Sequence, residues 1–94
     1  MLQRTRTTLA IDGPILRSDL PGLDGRVCRL LSSGDAALLI CELRGVEADA
    51  VAVDALARLA LAARRHGCQV RLRGASEELL ELVSFIGLGQ VFSA

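Results

Sequence analysis

The chain has 94 residues, 51% of them apolar, with eleven arginines, eleven acidic residues and no lysine. That length suits one small domain, which buries only about two-thirds of the surface its unfolded chain exposes. The balanced charge leaves no long-range field to draw in nucleic acid or an anionic membrane, and Phe85 and Phe92, the only aromatics, offer no row of stacking platforms for bases.

The start, MLQRTRTTLAID, lacks an apolar segment of signal-peptide length, and no uncharged apolar run approaches the roughly 18 residues of a membrane span. The expectation is one cytoplasmic domain over residues 1–94, without direct membrane insertion. Cys28, Cys41 and Cys68 are odd in number and widely spaced, with His66 the lone histidine. That spacing offers neither a disulfide framework nor a zinc site, so all three are expected to be buried structural thiols.

Thr7, Leu9 and Ile11 alternate with Thr8 and Ala10, which predicts a first strand with one buried face. Gly13-Pro14 closes it, and Ile15-Leu16 is read as a short second strand. Ser18-Asp19-Leu20-Pro21 reads as a helix start with a capping side chain and a proline in the first turn. Leu20, Leu23, Val27, Leu30 and Leu31 carry the helical spacing, and Gly22 and Gly25 weaken it. Ser32-Ser33-Gly34-Asp35 is the turn that ends it.

Ala36 to Leu43 is apolar except at Glu42, as suits a central parallel strand covered on both faces. Asp49 is a good N-cap for a helix placing Val53, Leu56, Leu59, Ala60 and Ala63 on one stripe. Asp54 and Arg58, on the opposite side, form an exposed i,i+4 ion pair. Gly67 supplies a left-handed stop, with Cys68 packing back on Ala63. Gln69 to Arg73 alternates, with Val70 and Leu72 inward and the arginines outward. Ser76 caps a last helix, with Glu77 and Glu78 in its first turn, and Leu79, Leu82, Val83 and Ile86 form its buried stripe. Gly87 stops it, and Val91-Phe92 anchors the chain after it.

The element order, the Gly45-Val46 loop, the Asp49 helix start, the His66-Gly67 stop, the RLRGAS strand and turn, and the late Gly87-Leu88 together resemble the STAS family, the sulphate transporter and anti-sigma factor antagonist domains. The resemblance runs along nearly the whole chain and rests on order and spacing, not on any single motif. It implies an α/β fold, a single domain with a four- to five-stranded mixed sheet and helices packed mainly on one face.

In the family's bacterial signalling members, the loop before the second long helix carries an acid, a phosphorylatable serine, a hydroxyl neighbour and a glycine. With a one-residue deletion, Asp49 matches the acid, Ala50 the serine, Val51 its neighbour and Ala52 the glycine. The ungapped alignment puts Ala50 at the acid and Val51 at the serine. Either way the phosphoacceptor is lost, and no Ser, Thr or Tyr occurs between Ser33 and Ser76 to replace it. A phosphate there would add nearly two negative charges beside free helix N–H groups and block a partner surface.

The resemblance therefore implies a non-catalytic regulator that binds a kinase-type anti-sigma factor through Val46, Glu47, Asp49, Ala50, Val51, Asp54 and Arg58, without a phosphoswitch. Two other readings stay open. One is a nucleotide-binding module with Arg44 as an anion contact, and the other is a soluble STAS subunit of a membrane transporter. Homodimerisation through the exposed helix is also left open.

No arrangement of residues argues for catalysis. Glu42 reads as a strand end, Asp49 and Asp54 as cap and ion pair, and His66 as a C-terminal cap. No serine, histidine and acid stand in a nucleophile arrangement. Gly87-Leu88-Gly89 lacks the third glycine and preceding strand of a dinucleotide fingerprint. The expectation is no enzyme, no cofactor and no metal.

Overall fold

The computed structural model describes residues 5–32, 36–89 and 92–93. The alternation around Leu9 becomes β1 (Thr5–Asp12), and a 3₁₀ turn (Arg17–Asp19) leads into α1 (Leu20–Leu31). There follow β2 (Ala36–Arg44), α2 (Ala50–Arg65), β3 (Gln69–Arg73), α3 (Glu77–Phe85) and the two-residue β4 (Phe92–Ser93). The turn expected over Ser33-Gly34-Asp35 and the Val91 half of the terminal anchor lie outside the described residues.

Three strands carry the sheet, β4 completes one edge, and the order is β1-β2-β3-β4. Every pairing is parallel, which corrects the expected mixed sheet. The order explains the one-sided architecture. Each parallel crossover steps to the next strand in the same direction, and crossovers of one hand then deliver every helix to the same face.

The register fixes that face. Leu9 sits opposite Cys41 and Cys41 opposite Leu72, while Ile11 faces Leu43 and Leu39 faces Val70. Of these, all but the half-buried Leu72 are fully buried, and Leu72 packs against the same cluster, which also holds Leu23 and Val27 of α1, Leu56 and Leu59 of α2, and Leu79 and Val83 of α3. On the other face Thr8 and Ala10 are exposed, yet Ile40 is only 2% exposed between Thr8 and Arg71. Ile40 lies outside the core cluster that the helices share.

The expected second strand does not form. Pro14 has no N–H to give a ladder, and the Leu16 N–H donates to Asp19 Oδ2 at 2.9 Å. Ile15, 6% exposed, is a core plug, while Leu16 is 59% exposed. The same contact takes Asp19 away from α1: it occupies the cap position with a helical backbone and makes no cap bond there.

The other helix ends follow the sequence closely. Ala52 N–H donates to Asp49 Oδ1 at 2.8 Å and Leu79 N–H to Ser76 Oγ at 3.1 Å, each cap serving the third residue of its helix. At the C-termini Gly67 (φ +66°) donates to Arg64 O and Cys68 to Ala63 O. Gly87 (φ +89°) and Leu88 repeat the pattern with Ser84 O and Val83 O. Both are Schellman stops. Gly74 is the tightest glycine. At φ +79° it crosses the end of β2, where an added Cβ would stand 2.6 Å from Leu43 O. This approach sets the start of α3 beside the β2–α2 loop.

Candidate partner face at the start of α2

The residues expected to meet a partner cluster at the C-terminal end of β2 and the start of α2, but they are not equivalent. Ala50 is exposed at the first position of α2, directly after the Asp49 cap. Glu47 is exposed beside it, and Ala48, Asp49 and Val51 are half-buried. α2 has no acidic residue in its first turn, so its positive end carries only the capping carboxylate of Asp49. Val46 departs from expectation. It is 8% exposed and belongs to the core cluster, so it anchors the loop from below and presents no surface.

Asp54 and Arg58 form more than the expected local pair. Arg58 Nε donates to Asp54 Oδ1 at 3.3 Å, and its Nη1 reaches Asp24 Oδ2 on α1 at 3.4 Å. Arg17 of the 3₁₀ turn approaches Asp54 at 3.7 Å. The Asp54 hydrogen bond and charge, seconded by Asp24, push the Arg58 pKa above its ordinary value. These two residues thus tie α2 to α1 through an exposed four-residue network, a role that spacing within α2 could not show.

Arg44 is exposed at the end of β2, in register with Asp12. Arg73 Nη1 donates to Glu42 Oε1 at 3.3 Å. Arg71 is half-buried, and its Nε has no partner among the described residues. A hollow of about 570 Å³ lies between β1, the 3₁₀ turn and α1, floored by Ile11, Ile15 and Leu23 and rimmed by Asp12, Asp19, Arg26 and Arg29. Arg44 does not line it. Among the described residues no group of three His, Cys, Asp or Glu could hold a metal ion, and no helix is long and apolar enough to cross a membrane.

Cys41 and Cys68 are buried as expected, but Cys28 is exposed. It stands one position beyond Val27 on α1, off the buried stripe. Burial pushes the Cys41 thiol up to about 12, the behaviour of an inert core side chain.

A further hollow of about 350 Å³ adjoins the α2 start, lined by Ala48, Glu78, Glu81, Leu82 and Phe85. Phe85 is 87% exposed and Ile86 46%, where the α3 stripe had been expected to bury Ile86. Leu82, also expected in that buried stripe, is half-buried and lines this hollow. The available signal was the stripe Glu78, Glu81, Leu82 and Phe85 at spacings of three, four and seven.

The strand order, the one-sided helices and the capped helix ends define a parallel α/β domain. No protein-family model matches the sequence, and no curated protein matches it. Among solved structures it is similar to the STAS domain of a SulP transporter from Vibrio cholerae, with a TM-score of 0.76, 19% identity, and coverage of 99% of this chain and 72% of that one. The chain has the STAS fold.

Proposed function

We propose that this chain is a non-catalytic protein-binding regulator whose partner face is the exposed start of α2, and that its partner is a kinase-type anti-sigma factor held without a serine phosphoswitch. The observation that carries the reading is Ala50. It is exposed, begins a capped helix, and stands where the resemblance puts the phosphoacceptor of the signalling members. A methyl group there cannot take a phosphate, so binding is constitutive and its control lies in expression or at another site.

Ala50→Glu tests the reading. A carboxylate in the first turn of α2 favours the helix by about 0.3–1 kcal/mol, so the variant stays folded while presenting a blocking charge. Partner affinity is expected to fall at least about tenfold, or roughly 1.4 kcal/mol. Unchanged affinity in the folded variant overturns the face.

A second reading is a subunit of a membrane transporter. The likeness to a SulP transporter's STAS domain favours it. Co-purification with a membrane transporter, and not with a kinase-type protein, would select it.

A further inference from the structure

A single exposed aromatic is ordinary on a protein surface. Phe85 is different because of its company. Glu78, Glu81, Leu82 and Phe85 form one stripe of α3, turned away from the core stripe of Leu79 and Val83, and this stripe lines the hollow with Ala48 of the β2–α2 loop.

The charge of the stripe is uncompensated. α3 carries Glu77, Glu78 and Glu81 and no basic residue, and none of the three forms an ion pair among the described residues. The helix dipole accounts for Glu77 and Glu78 in the first turn, but its effect fades before Glu81. The surface is therefore an apolar floor with an acidic rim, the complement of a cation-flanked apolar side chain. An anionic membrane is repelled by the same rim.

We propose that this groove seats a cationic, apolar-anchored segment of the protein partner, with one large apolar side chain against Phe85, Leu82 and Ala48, and Arg or Lys groups against Glu78 and Glu81. The proposal deepens the reading above and rests on it, because Ala48 belongs both to the loop before α2 and to the groove.

The test uses the full chain and a synthetic amphipathic peptide of about 14 residues, with Leu and Phe on one face and Lys and Arg on the other. Saturable binding is expected, with amide NMR shifts centred on Ala48, Glu78, Glu81, Leu82 and Phe85. Affinity should fall about fivefold or more in Phe85→Ala and in the double variant Glu78→Gln/Glu81→Gln. It should also weaken between about 50 mM and about 500 mM salt, and an analogue with glutamates for its basic residues should not bind.

Absence of saturable binding, shifts centred elsewhere, or affinity unmoved by Phe85→Ala overturns the proposal. So does Phe85-dependent self-association in sedimentation, which would make a second copy the occupant. Ala50→Glu separates the two readings, since it should disrupt the native partner while changing peptide affinity less than about threefold, Ala50 lying outside the groove lining. If the native partner is lost in Ala50→Glu but ignores Phe85→Ala, the groove fails and the α2 face stands.

Discussion

The surfaces on either side of the α2 start are built to opposite rules. Towards α1, Asp54 and Arg58 are joined to Asp24 and Arg17 in a network that crosses from helix to turn to helix. Towards α3, Glu78 and Glu81 stand over Leu82 and Phe85 with no ion pair among the described residues. A chain of zero net charge is thus locally unbalanced. The first side is cross-linked to the fold, and the second is the side on which the proposed partner segment would sit.

That contrast is open to attack. The largest effect should come from the core beneath both sides. Leu56, 0% exposed, changed to alanine should cost about 2–5 kcal/mol in denaturant unfolding and abolish the contrast by loosening α2 itself.

Alkali should act on the same core. The Cys41 thiol is raised from 9.0 to about 12, so the folded state keeps a proton that the unfolded chain releases. The stabilising term is complete below pH 9 and is lost as pH rises towards about 12, at about 1.4 kcal/mol per pH unit. The chain has no lysine and no tyrosine, and a Cys28→Ala/Cys68→Ala background removes the other two thiols. Unfolding followed against pH should show the slope in that background and lose it when Cys41→Ala is added.

Smaller effects discriminate between the two sides. If the partner is a kinase, Ala50→Ser should gain one phosphate in its presence with ATP, read as a mass shift absent from the wild type. Asp54→Asn should lower stability by at most about 1 kcal/mol, less at high salt, because the network is exposed, and should leave partner affinity unchanged. Phe85→Ala should behave in reverse, with stability within about 0.5 kcal/mol of wild type and binding reduced. A partner whose affinity followed Asp54 and ignored Phe85 would invert the contrast.

Where the sequence was legible, short-range chemistry decided the outcome. Asp49, Ser76, Gly67 and Gly87 each act within one helical turn of their position, and all four end or begin helices as read. What was missed depends on distant partners. Ile15-Leu16 has strand composition, but Asp19 takes the Leu16 N–H and leaves no ladder. Val53 was assigned to the α2 core stripe and is half-buried, while Ala52 and Ala55 are fully buried. The buried face of α2 runs through Ala52, Ala55, Leu56, Leu59, Ala60 and Ala63, and Val53 packs at its margin.

The candidate site was legible in the same measure. Ala50 and Asp49 lie where the local pattern put them. Val46 is drawn into the core, Arg58 is committed to α1, and the Phe85 side depends on α3 being set beside the β2–α2 loop, a juxtaposition no local spacing reveals.

Arg26 bears on the open edge of the sheet. β1 is the outer strand of a parallel sheet, and an open strand edge invites a stray chain to zip on through its backbone. Arg26 of α1 donates through Nη2 to the Ala10 carbonyl at 3.3 Å. An incoming strand would have to evict a guanidinium from that rung and settle beside its charge, so α1 serves the sheet as a selvedge against fraying into fibres.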